Sequence, residues 1–180
     1  MKAFVLGWRR ILRLTLPAAL GVLFVLLAVL TGSLPANARD LQGRLGVGYN
    51  AQFVNSVLGP SVPGVSIKYA LSRDLAVSAI VSAKTASPTS SASGVKLFKN
   101  LFLETNLNFY MALGGAIVGV GGASGAEFIG TLGAEFFIPG LESLGFSFEA
   151  GAGLHNLSNS SFSIRTLGAS FVDTGIHFYF

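Results

Sequence analysis

The sequence predicts an all-β protein: an eight-stranded antiparallel up-and-down transmembrane β-barrel, preceded by a signal-peptide helix. Three observations carry that expectation. Residues 39–180 form a series of short segments that alternate apolar and polar side chains with period two, separated by Gly, Ser, Asn and Pro clusters. One face of each segment is almost wholly Leu, Val, Ile, Phe and Ala, and the other mixes Gly, Ser, Asn and isolated charges, which suits lipid outside and a polar lumen. The chain also ends on such a segment. Phe180, Phe178, Ile176, Thr174 and Val172 share one face, opposite Tyr179, His177, Gly175 and Asp173.

Composition bounds the alternatives. Lys2, Arg9, Arg10 and Arg13 account for the whole net charge of +4, since acids and bases balance from Arg39 onward. The basic balance is therefore a property of the N-terminus and not a nucleic-acid footprint. Without cysteine the chain has no disulfide framework, no thiolate zinc site and no cysteine to acylate. Residues 1–38 read as a cleaved signal peptide: a basic start, an uncharged run from Leu14 to Leu30, then Pro35 and the Ala36-Asn37-Ala38 pattern of small residues. The competing reading is an uncleaved inner-membrane anchor, because that run nearly spans a bilayer. Arg9-Arg10 matches a twin-arginine signal poorly, so export unfolded through the Sec route is expected. Residues 39–180 then form the barrel domain.

Taken in order, the first strand runs from Leu41 to Phe53, with Leu41, Leu45, Val47, Tyr49, Ala51 and Phe53 outward. Val65–Leu71 and Leu75–Ala83 follow around a tight turn at Ser72-Arg73-Asp74. The fourth, Gly94–Leu103, is the weakest, because Lys96 and Lys99 cannot share a pleat face; a bulge or early turn at Lys99-Asn100 is expected. Asn106–Val118, Ala126–Phe137 and Leu144–Leu154 are the fifth to seventh, with Ile138-Pro139-Gly140 starting a turn. The eighth runs from about Thr166 to Phe180. A membrane strand takes roughly 9–11 residues, so eight leave room for connections of mixed length, whereas twelve hardly fit.

A barrel of eight strands has a bore only wide enough for side chains to fill. The lumen-facing charges Arg44, Lys68, Glu127, Glu135, Glu149 and Asp173 must therefore pair. The expected network joins Arg44 and Lys68 to some of Glu135, Glu149 and Asp173, and Gly46, Gly48, Gly151 and Gly153 make room for it. Gly119–Gly125 has neither the dinucleotide nor the phosphate-loop spacing and reads as a flexible loop. His155 lies near Ser158, Ser160 and Ser161, but no acid stands close in sequence, so a polar surface loop is the expectation. Two histidines as separate as His155 and His177 make no metal site, and no catalytic residue, metal or cofactor is expected. Tyr49, Phe53, Tyr69, Phe98, Phe102, Phe109, Phe137, Phe162, Phe178 and Phe180 are candidates for interfacial girdles.

With strand pattern, size, signal segment and terminal Phe in hand, residues 39–180 resemble small outer-membrane barrels of the OmpA/OmpX type. A soluble lipocalin-like carrier fits less well: the Gly-x-Trp start is absent and the body contains no Trp. The resemblance implies both termini periplasmic and outer loops near 54–63, 85–93, 119–125 and 155–165. It implies that Phe180, Phe178 and Ile176 serve as an assembly signal read by the barrel-assembly machinery, after delivery by periplasmic chaperones. It further implies a monomer surrounded by outer-membrane lipid and lipopolysaccharide. The function expected is non-enzymatic: a structural or loop-presenting role in the envelope. The alternatives are a narrow channel or hydrophobic-solute conduit and, less favoured, an enzyme acting on lipid A acyl chains.

Overall fold

The computed structural model describes residues 40–51, 64–157, 162–166 and 172–180. Outside these residues lie the expected signal segment with its Ala36-Asn37-Ala38 site, Phe53, the connection at 54–63, and Ser158, Ser160 and Ser161. The strands are β1 (Leu45–Asn50), β2 (Gly64–Ala70), β3 (Leu75–Lys84), β4 (Ser90–Glu104), β5 (Leu107–Val120), β6 (Ala123–Ile138), β7 (Leu141–Leu157), β8 (Ser163–Thr166) and β9 (Asp173–Tyr179). Each pairs antiparallel with its chain neighbour from β1 to β7. β8 and β9 both pair with β7, along different stretches, and together make the eighth stave. β9 also pairs with β1, which closes the ring. The fold is a closed eight-staved antiparallel up-and-down barrel.

Alternation decides the two surfaces. One register row runs Val47–Ile67–Ala79–Val95–Gly115–Phe128–Leu154–Ile164, all on the outer face. The same Val47 pairs back to Phe178, much further along the last stave, so the strands climb around the axis as closure requires. Val81, Leu97, Leu113, Ile117, Leu132 and Phe148 are likewise exposed outward. Such a continuous apolar exterior greatly exceeds the patches a soluble surface tolerates and needs lipid around it.

Asp40, Phe180 and the tight turns at 71–74, 105–106 and 139–140 lie at one end of the barrel, here the terminal end. At the turn Pro139-Gly140 the glycine has φ +86, as the third residue of a type II turn requires. Tyr69, Phe102, Phe109, Phe178 and Phe180 stand exposed beside these ends. Phe178 and Phe180 stack edge to face at 5.1 Å, and the Phe180 amide donates to the Leu45 carbonyl at 2.9 Å.

Several sequence expectations are corrected. The 119–125 loop is a two-residue hairpin turn: Gly121 and Gly122, at φ +57 and +89, turn the chain between β5 and β6 while their neighbours stay in the ladder. The 85–93 loop shrinks to 85–89, because β4 begins at Ser90. β7 continues through His155 to Leu157, and Ser163–Thr166 is paired strand, so neither belongs to a 155–165 loop. Leu41 is not outward: Gly43, at φ +75, turns the chain before Leu45 and folds Leu41 under the barrel, 8% exposed. Phe98 and Phe137 are not girdle residues but lumen residues, at 3% and 0% exposure. The expected irregularity in β4 is present: the register with β5 slips between Asn100 and Phe102. Lys96 and Lys99 both precede the slip and differ in face by alternation: Lys96 is inward, while Lys99 reaches the terminal end and pairs with Asp74 at 3.2 Å.

Candidate functional site

The centre of the lumen is built from adjacent inward positions. Tyr179, Gly46, Lys68, Ser78, Lys96 and Gly114 follow one another across five pairings, so small residues flank both lysines. The next inward row carries Ala70, Ala76, Phe98, Ala112 and Thr131. Glu149 faces Gly133, and Glu135 faces Ser147. The long side chains meet in the middle of the bore above a buried apolar floor of Leu41, Ala70, Ala76 and Phe137.

Two ion pairs result. Lys68 Nζ lies 2.8 Å from Glu135 Oε2 and Lys96 Nζ 2.6 Å from Glu149 Oε2, all four side chains being at most 6% exposed. Each carboxylate is completed by a tyrosine: Tyr179 donates to Glu135 Oε1 at 2.5 Å and Tyr110 to Glu149 Oε1 at 2.9 Å. Thr131 adds a third donor to Glu149 at 2.8 Å. Phe98 lies between the pairs, its ring centre 4.5 Å from Lys68 Nζ and 4.9 Å from Lys96 Nζ, and Tyr110 meets its edge at 5.3 Å. Buried ammoniums are tolerated only when paired and hydrogen-bonded, and a ring face adds cation–π attraction. This cluster plugs the terminal half of the lumen.

The six charges singled out in the sequence separate. Lys68, Glu135 and Glu149 meet in the plug, but the second cation is Lys96, not Arg44. Arg44 is half-buried at the terminal rim, just after the Gly43 turn, and has no ion-pair partner among the described residues. Asp173 is buried in register with Glu149, and Glu127 is buried higher up, in register with His155. Lys96 was legible in principle, because Ala92, Gly94, Lys96 and Phe98 form one inward series opposite Val95 and Leu97. The wrong start of β4 and the later bulge hid it.

Among the lumen glycines, Gly46 makes room for a large side chain: a Cβ there would lie 2.7 Å from the Tyr179 ring. Gly133, which the sequence reading passed over, does the same for Glu149 and Tyr110, each 2.8 Å from such a Cβ. Gly48 and Gly151 instead admit backbone of the neighbouring strands.

The histidines sit in the lumen. His177 Nε2 shares a hydrogen bond with Ser66 Oγ at 2.7 Å. His155 is a strand residue, 8% exposed, and not on a surface loop. Its register neighbours are Glu127 and Ser163, so the fold supplies the acid and the hydroxyl that its sequence neighbourhood lacks. No hydrogen bond joins the three, however, and His155 Nδ1 is buried without a partner. Among the described residues no three His, Asp or Glu side chains gather as metal ligands would.

A closed ring of eight staves, apolar outside and polar within, is the architecture of the small outer-membrane barrels. No family model matches the sequence, and no curated protein matches it. Among solved structures, the N-terminal β-barrel domain of Pseudomonas aeruginosa OprF is similar, with a TM-score of 0.48 and 12% identity over 77% of this chain and 98% of that one.

Proposed function

We propose that this protein is a closed outer-membrane barrel with a structural, non-enzymatic role in the cell envelope. The carrying observation is the plug: two buried Lys–Glu pairs, two tyrosines and Phe98 fill the bore. For an ion to pass, both pairs would have to part inside a low-dielectric interior, at a cost of several kcal/mol per uncompensated charge. Export by a cleaved signal, recognition of Phe180, Phe178 and Ile176 by the assembly machinery, and a monomer in lipopolysaccharide complete the reading.

Planar-bilayer recording tests it. The full-length protein, shown to be folded by a heat-dependent mobility shift on a gel, is expected to give no unitary conductance. Phe98→Ala combined with Lys96→Ala and Glu149→Ala, which removes one pair together with the ring beside it, is expected to admit small ions. Regular openings of the unmodified protein would favour the channel reading instead.

A further inference from the structure

The described lysines are unevenly provided for. Lys68, Lys96 and Lys99 each face a carboxylate, at 2.8, 2.6 and 3.2 Å. Lys84, the last residue of β3, has no ion pair and no hydrogen bond among the described residues. It is half-buried and lines a cavity of about 380 Å³ at the end of the barrel away from the termini, between segment 85–89 and the turn at 121–122. The lining also includes Thr85, Thr89, Ser90 and Ser91 and the Gly-Gly turn, with Ser90 on the same face as Lys84; among the described residues no carboxylate lines the cavity.

The two connections are held together. The Gly121 amide donates to the Thr89 carbonyl at 2.9 Å, and a Cβ on Gly121 would lie 3.8 Å from the Pro88 ring. Ser90 stands in register with Lys84 on one side and Val120 on the other, so the two side chains share a face of the wall. On Gly122 an added Cβ would meet nothing within 4 Å, leaving the turn backbone uncovered.

An ammonium offers three donors and no acceptor, and each hydroxyl offers one more. Such a set is complementary to an anion with several acceptor oxygens, and charge-assisted bonds of this kind are roughly twice as strong as neutral ones. A neutral sugar would leave the ammonium uncompensated. We infer that the Lys84 cavity is a binding site for a phosphate-type oxyanion, supplied either as free phosphate or as the phosphate of a lipid headgroup. The outward apolar series on these strands ends just below it, at Val81 and Ile117, which is the level at which headgroup phosphates lie. The lipid source rests on the outer-membrane reading; the anion site does not.

Nuclear magnetic resonance on the isotope-labelled full-length protein, in a glucoside detergent that carries no phosphate, tests the site. Inorganic phosphate is expected to shift the amides of Thr89 and Gly122 saturably. Lys84→Gln should weaken the response at least tenfold, Lys84→Arg should restore it, and Lys99→Gln, on the lysine already paired with Asp74, should leave it unchanged. If phosphate is silent but vesicles containing phosphatidic acid shift the same amides more than phosphatidylcholine vesicles do, the source is the headgroup. Silence with both, or an undiminished response in folded Lys84→Gln, would overturn the site, and neither result would bear on the closed barrel.

Discussion

The two halves of the lumen solve the same problem differently. In the terminal half, long charged side chains from β2, β4, β6 and β7 converge, and every ammonium finds a carboxylate whose second oxygen is held by a tyrosine. In the other half the bore is filled largely by Ile80, Ala92, Ala116, Val118 and Ile129. Both halves leave buried polar atoms without partners: Asn108 Oδ1 and His177 Nδ1 in the first, Ser82 Oγ and His155 Nδ1 in the second. The difference teaches where specificity resides. Apolar filling is satisfied by any side chains of the right volume, whereas the plug requires particular residues at particular register positions. Mutations should therefore cost most at the ion pairs of the plug and least at His155 itself.

The largest effect is expected at the ion pairs. Lys96→Met leaves Glu149 buried with its cation gone and should cost about 3–5 kcal/mol in urea unfolding from lipid. Combining it with Glu149→Gln should recover most of that loss, because no buried charge remains unmatched. Equal losses for the single and double variants would mean that the pair is not coupled. Next, Leu132→Arg places a charge on the outer face opposite the plug and should cost about 2–4 kcal/mol in bilayers. A negligible cost there would remove the argument that this face meets lipid. Gly133→Ala intrudes on both Glu149 and Tyr110 and should cost about 1–3 kcal/mol, seen as a lower urea midpoint at unchanged slope. Smallest is His155→Ala, which breaks no hydrogen bond and should stay within about 1 kcal/mol. A loss as large as that for Lys96→Met would show that the two halves are not different after all.

Most of the wall was legible beforehand because the pleat has a strict period. Once Val65, Ile67 and Tyr69 are outward, Ser66, Lys68 and Ala70 must be inward, whatever the partner strand. The errors cluster where the period is interrupted. Gly43 reverses Leu41 and moves Arg44 to the rim. The slip at Asn100 obscured Lys96. The eighth stave is described as two pieces, β8 ending at Thr166 opposite Ala152 and β9 beginning at Asp173 opposite Glu149, where a single strand is expected from the sequence. Glycine runs misled in the other direction: a hairpin of two left-handed glycines needs only Gly121 and Gly122, so the rest of the run remained strand.

The class of structure, the number of staves, the apolar outer face and the inward direction of Lys68, Glu135 and Glu149 are all readable from the residues alone. Each follows from periodicity, length and the cost of placing charge in lipid, which are local properties. The assembled barrel adds that Lys96 is the second cation, that Tyr110 and Tyr179 hold the carboxylates, that Glu127 lies beside His155, and that Lys84 meets no carboxylate among the described residues. Those are matters of which strand stands opposite which, and at what shift. Register across a closed ring depends on all eight staves together, and no single segment contains it.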